Sequence, residues 1–122
     1  MKTSYIYSAK VVKVIDGDTI DCLVDLGFNV LVKERFRLYG IDTPEKTSDV
    51  PALRELAIKA TKFVTDTILD KEVLLDSTGK DKYGRWLGKI YIDMTQATIN
   101  EQLISLGLAK AYFGDNKLNL GW

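Results

Sequence analysis

The stretch that most constrains this chain is a period-two run interrupted by an aspartate–glycine pair. Residues 4–15 read as one strand and residues 19–26 as a second. In the second, Ile20, Cys22, Val24 and Leu26 alternate with Thr19, Asp21, Leu23 and Asp25, which gives one mainly apolar face. Asp16-Gly17 between the two runs is a hairpin signal, because glycine supplies the positive φ that tight turns demand. Gly27, with Asn29 close by, marks the next turn. Residues 29–39 then form a third strand, with Phe36 and Leu38 on one face and Arg35, Arg37 and Tyr39 on the other. Three antiparallel strands in succession make a meander.

After Pro44 the period lengthens. Ser48 or Asp49 is placed to cap a helix with Pro51 in its first turn, and Leu53, Leu56, Ala57, Ala60, Phe63, Val64 and Ile68 recur at helical spacing. Val73-Leu74-Leu75 reads as a short strand, and residues 85–93 as another, entered through the Lys82-Tyr83-Gly84 turn. Thr98 with Glu101 forms a capping box for a second helix bearing Ile99, Leu103 and Leu106, which Gly107 stops. Five short strands with a helix between the third and fourth is the order of an OB-fold, a partly open five-stranded Greek-key barrel. The class is α+β, mainly β, with two helices. Residues 1–122 carry no internal repeat or linker and read as one domain.

Composition narrows the chemistry. The chain has no histidine and one cysteine, Cys22, which excludes imidazole bases, His-ligated zinc, Cys-rich zinc sites and disulfide frameworks. Cys22 itself reads as a small buried apolar residue. Catalysis must therefore rest on carboxylates, guanidinium groups, lysine, hydroxyls or a metal held by oxygen. Seventeen basic and seventeen acidic residues cancel, which counts against tight non-specific binding of nucleic acid while allowing a local basic site. No run approaches the length of a membrane span. The start, Met1-Lys2-Thr3-Ser4-Tyr5, lacks a secretory apolar region, so a cytoplasmic location and no membrane partner are expected.

Three polar segments at strand edges carry the chemistry: Ile15 to Ile20, Arg37 to Glu45, and Asp81 to Arg85. Asp16 precedes glycine in a turn and has a local backbone duty. Asp18 opens a strand without such a duty; alone it reads as a solvated carboxylate. Pro44 stiffens Asp42-Thr43-Pro44-Glu45, which makes either a strand-to-loop turn or a rigid holder presenting Asp42 and the Thr43 carbonyl to a divalent ion. Arg37 and Arg85 each read singly as surface residues. As a pair they suit a phosphate, because planar forks match its oxygens. Tyr83, Tyr112 and Phe113 have base stacking and rim packing equally open to them.

Taken in order, Asp16-Gly17-Asp18-Thr19, Phe36-Arg37-Leu38, Asp42-Thr43-Pro44-Glu45, Asp81-Lys82-Tyr83-Gly84-Arg85 and Gly107-Leu108-Ala109-Lys110 resemble the staphylococcal nuclease (thermonuclease) family. The likeness runs from about Lys10 to Tyr112. It implies an OB-type barrel and a calcium-dependent nuclease that cuts single-stranded or frayed DNA and RNA by in-line water attack, leaving 3′-phosphate ends. By the same resemblance, Asp18 and Asp42 would bind Ca2+ through carboxylates and Thr43 through its carbonyl. Glu45 would position or deprotonate the water, and Arg37 and Arg85 would hold the scissile phosphate. Lys82, Tyr83 and Tyr112 would contact the bound nucleotide.

The chain departs from that family in three places. The loop after Glu45 is short and poor in lysine. Tyr112-Phe113-Gly114 stands where the family often has two tyrosines. Residues 116–122 are expected to replace its last helix, with Leu118, Leu120 and Trp122 covering the surface that helix would hide. A monomer is expected, with a dimer through this tail as the alternative. The competing functional class is a non-catalytic OB-fold module that binds single-stranded nucleic acid or a partner protein.

Overall fold

A hairpin opens the fold where the alternation begins. The computed structural model describes residues 5–112; the expected roles of Phe113 and of the 116–122 tail lie outside them. Strand β1 (Ile6–Asp16) pairs antiparallel with β2 (Thr19–Asp25), and β2 with β3 (Leu31–Leu38). Ile20, Cys22 and Val24 turn inward, as do Phe36 and Leu38. Leu26 does not; it is exposed at the β2–β3 turn, where Phe28 and Asn29 adopt positive φ.

The first turn works differently from the expectation. Gly17 does not have the positive φ of Gly27, Gly40 or Gly84. What it supplies is room: a Cβ there would lie 2.7 Å from the Ala60 Cβ and 3.1 Å from the Thr43 Cγ2. Glycine is needed because a helix packs against the turn.

A two-residue strand, β4 (Ile41–Asp42), follows, and then α1 (Pro51–Ile68). Neither Ser48 nor Asp49 caps α1. Its N-cap is Val50, without a side-chain bond, and Pro51 takes the first helical position; the Ser48 hydroxyl accepts from the Val50 N–H instead. Proline's preset φ starts the helix without a capping oxygen. Ala57, Ala60, Val64 and Ile68 form its buried face.

Strand β5 (Glu72–Lys80) is three times longer than its apolar centre Val73-Leu74-Leu75 indicates, because its outer half pairs with β6 (Trp86–Tyr91). The capping box at Thr98 and Glu101 forms as expected on α2 (Ile99–Ser105). Ile99 and Leu103 are buried, whereas Leu106 is exposed at the C-cap. A last pair, β7 (Lys110–Ala111), lies antiparallel to β4 and is absent from the periodicity, since two residues carry no period.

Five strands close into a barrel in the order β1-β2-β3-β6-β5, with β3 and β6 parallel. This is the OB-type topology, closed here rather than partly open. The core runs through the barrel and out to α1 and α2, from Val11, Ile20 and Leu75 to Val64, Ile68, Ile99 and Leu103. Cys22 is fully buried there, and burial pushes its thiol up to about 12. No helix among the described residues is long and apolar enough to cross a membrane.

Candidate active site

The β1–β2 turn, the end of β3 and the β4 segment converge on one buried ion cluster. Asp18 is 6% exposed and Asp42 7%. Arg37 lies between them. Its Nη1 donates to Asp18 Oδ2 at 2.9 Å, and its Nη2 donates to Asp42 Oδ1 at 3.3 Å and to the Ile41 carbonyl at 3.1 Å. The Thr43 N–H donates to Asp18 Oδ2 at 3.2 Å, and the Thr19 hydroxyl donates to Asp18 Oδ1. Asp18 is therefore no solvated strand-end carboxylate. It ties together segments 19 and 25 residues away.

Burial works against a charge on Asp18. Its hydrogen bond with Asp16, the Arg37 guanidinium and the Thr43 amide outweigh that and hold its carboxyl below the usual range. Asp16 goes the other way: burial first, then its hydrogen bond to Asp18 and the Asp18 charge, push it up to about 6. Asp16 also keeps its turn duty, accepting the Asp18 N–H at 3.2 Å.

The second arginine is set by a different device. Asp81 Oδ1 accepts the N–H groups of Tyr83 and Arg85 at 2.8 and 2.9 Å, and Oδ2 accepts Arg85 Nε at 2.6 Å. Burial would raise the Asp81 carboxyl, but the Arg85 amide, the Arg85 guanidinium and the Tyr83 amide hold it low. Only Nε of Arg85 is engaged by Asp81, so the face of the fork that fits a phosphate points elsewhere. Asp81 is the residue that the separate treatment of carboxylates and arginines passes over. An aspartate followed at the third residue by glycine and at the fourth by arginine, in a turn, is the signal that could have found it.

Arg37, Arg85, Lys82, Tyr83 and Tyr112 all line one cavity of about 230 Å³. Tyr112 is brought there by the β4–β7 pairing and by its N–H bond to the Gly40 carbonyl. The Arg37 Cζ lies 5.9 Å from the Tyr112 ring centroid, and the Arg85 Cζ 5.3 Å from that of the exposed Tyr83. Glu45 is not in this cavity. It is exposed, in a separate depression of about 320 Å³ that Asp42 and Thr43 also line. Asp18 bridges the two, bonded to Arg37 of the first and Thr43 of the second.

Asp18, Asp42 and the Thr43 carbonyl offer only oxygen, the donor set of a hard cation such as Ca2+. Both aspartates are buried carboxylates, the ligand type a hard cation takes. Among the described residues, no three Asp, Glu, His or Cys side chains cluster. An ion here would have two carboxylates, and would complete its shell from carbonyl, water or phosphate oxygen.

Comparison with known proteins bears on what such a cluster is for. Residues 35–120 match the family described as staphylococcal nuclease homologue. The chain is 32% identical, over 92% of its length, to an uncharacterized protein of Methanocaldococcus jannaschii, of which it covers 62%. It is 35% identical to a thermonuclease of Staphylococcus hyicus over 85% of this chain and 59% of that protein. It is 33% identical to a micrococcal nuclease of Shigella flexneri, over 87% of this chain and 59% of that protein. The chain thus spans about three-fifths of the length of each of these relatives.

Proposed function

Because the chain belongs to the family of staphylococcal nuclease homologues, we propose that it is a calcium-dependent phosphodiesterase that cuts single-stranded or frayed DNA and RNA. The observation that carries this reading is the convergence of Arg37, Arg85, Lys82 and Tyr83 on one cavity, with Arg37 touching both buried aspartates. Calcium held by Asp18, Asp42 and the Thr43 carbonyl would supply positive charge beside the phosphate. The residues of the chain do the rest. Arg85 presents its unengaged guanidinium nitrogens to a phosphate oxygen, and Arg37, held by Asp18, Asp42 and Ile41, adds its positive charge from the cavity wall. Lys82 and Tyr83, on the exposed turn, take the neighbouring phosphate and sugar. Glu45, exposed beside Asp42, is free to orient or deprotonate a water attacking in line, with a 3′-phosphate as the product end. Both arginines then offset the charge that builds on the phosphoryl oxygens.

One observation favours a second reading, a binding module that does not cut. Both terminal nitrogens of Arg37 are already bonded to Asp18, Asp42 and Ile41, as in a structural ion cluster. A single assay separates the two. Denatured DNA is incubated with the protein and calcium, with chelator, and with Arg37→Ala or Glu45→Gln. Cleavage is expected only for the unsubstituted protein with calcium, each substitution lowering the rate at least about 10²-fold. Cleavage that ignores chelator or both substitutions rejects the nuclease mechanism. Binding without cleavage under every condition selects the module.

A further inference from the structure

The cavity holding the arginines has a neighbour. A second cavity, of about 250 Å³, shares Tyr39, Gly40 and Ile41 with the first, and its far side is formed by Lys89 and Tyr91 of β6 and Glu101 of α2. The middle residue of the shared wall has no side chain. Gly40 holds φ +80, a conformation natural to glycine, and its carbonyl is fixed by the Tyr112 N–H at 2.9 Å. The middle of the ridge between the two cavities is therefore low, formed by backbone, with Tyr39 beside it.

The chemistry of the second cavity is that of a nucleotide site. Lys89 Nζ stands 5.6 Å from the Tyr39 ring centroid, which sets an ammonium beside an aromatic face at the shared wall. Tyr91 supplies a second ring on the opposite strand. Rings and a cation interleaved along a groove are the general means of holding a single strand, since every base has a π-face and every link a phosphate. Glu101 has its Oε1 committed to the N–H and hydroxyl of Thr98, and the Lys89 ammonium is near enough to act on its charge. Among the described residues, Lys89 is the one cation lining this cavity, and so the group that would face a phosphate. Each cavity, about 230 and 250 Å³, is smaller than a drug-sized ligand site and has room for no more than a single nucleotide.

We propose that the second cavity binds the nucleotide adjoining the one held by Arg37 and Arg85, so that a single strand crosses the Gly40 ridge and engages both. For its ligand class this rests on the phosphodiesterase reading above. The site would make affinity and cutting depend on strand length, favouring an oligonucleotide over a lone nucleotide.

The test compares deoxyadenylate with a deoxyadenylate trinucleotide, titrated calorimetrically in chelator so that nothing is cut. The trinucleotide is expected to bind more tightly, and the ratio of the two affinities to fall about tenfold in the Lys89→Ala, Tyr91→Ala double variant, the scale of one lost stacked base. Tyr91→Phe, which keeps the ring, should restore most of the ratio, so that loss of folding cannot be mistaken for loss of the subsite. A wild-type ratio near one, or a ratio in the double variant within about twofold of wild type, overturns the inference. If cleavage with calcium persists while the ratio is indifferent, the subsite falls and the nuclease reading stands. If the ratio responds and no cleavage occurs, the subsite stands and the nuclease reading falls.

Discussion

Arg37 commits both terminal nitrogens to Asp18, Asp42 and the Ile41 carbonyl, whereas the Arg85 guanidinium is held through Nε alone by Asp81, four residues away. Arg37's side chain is 12% exposed and Arg85's is 53%. They line the same cavity, yet one is part of the packing and the other rides on a surface turn. The turns that set them differ in the same way. Gly17, beside Asp18, is needed because Ala60 presses on it; Gly84, beside Arg85, has φ +79 and open space around it. A site of this kind is assembled from a corner that global folding makes and a turn that makes itself.

The largest effect should come from Arg37→Ala. The proposed hydrolysis of denatured DNA should drop at least about 10²-fold. Thermal or denaturant unfolding should also show a loss of about 3 kcal/mol, since two buried carboxylates lose their shared cation. Arg85→Ala should match the rate loss, again about 10²-fold, but shift stability by less than about 1 kcal/mol, as expected for an exposed pair. Equal stability losses for the two variants would break the comparison.

The glycines sharpen it at smaller scale. Gly17→Ala should cost about 2 kcal/mol by overpacking against α1, and should lower the rate by moving Asp18. Gly84→Ala should cost about 1 kcal/mol of backbone strain, without a clash. Unfolding curves for the two variants measure both. The smallest effect concerns acid. Asp81 is held below its ordinary 3.8, chiefly through Arg85 and Tyr83 against the opposing pull of burial, so its contribution is present above that value and lost as pH falls through the lowered one. Carbon-13 NMR of the Asp81 carboxyl and of the Tyr83 and Arg85 amides should show them titrating together in that acid window, while Leu75 and Ile90 in the core stay unchanged.

The same contrast explains what sequence reasoning reached. Local chemistry was legible: the Thr98–Glu101 capping box, the inward set Ile20, Cys22 and Val24, and the Lys82-Tyr83-Gly84 turn all rest on neighbours within a few residues. The burial of Asp18 was not legible, because it comes from Arg37 and Thr43, which are distant in the chain. Nor was the outer half of β5, whose polar residues Asp76, Ser77 and Lys80 are strand because β6, and for Asp76 also β1, pairs with them. The cap of α1 misled for a related reason, since Pro51 starts that helix without help from Ser48 or Asp49. Glu45 stays with Asp42 and Thr43 of its own segment, in a depression separate from the cavity of the arginines.

The contact between Gly17 and Ala60 also bears on how this chain can drift. Position 60 lies on the hidden side of a helix that lines neither the arginine cavity nor the second cavity beside it. A methylene added there would press on the turn and reach the proposed cation site through one backbone step. Mutational tolerance along α1 should therefore be graded by nearness to that turn. A scan of all substitutions would register position 60 as intolerant in an activity screen before it does so in a folding screen.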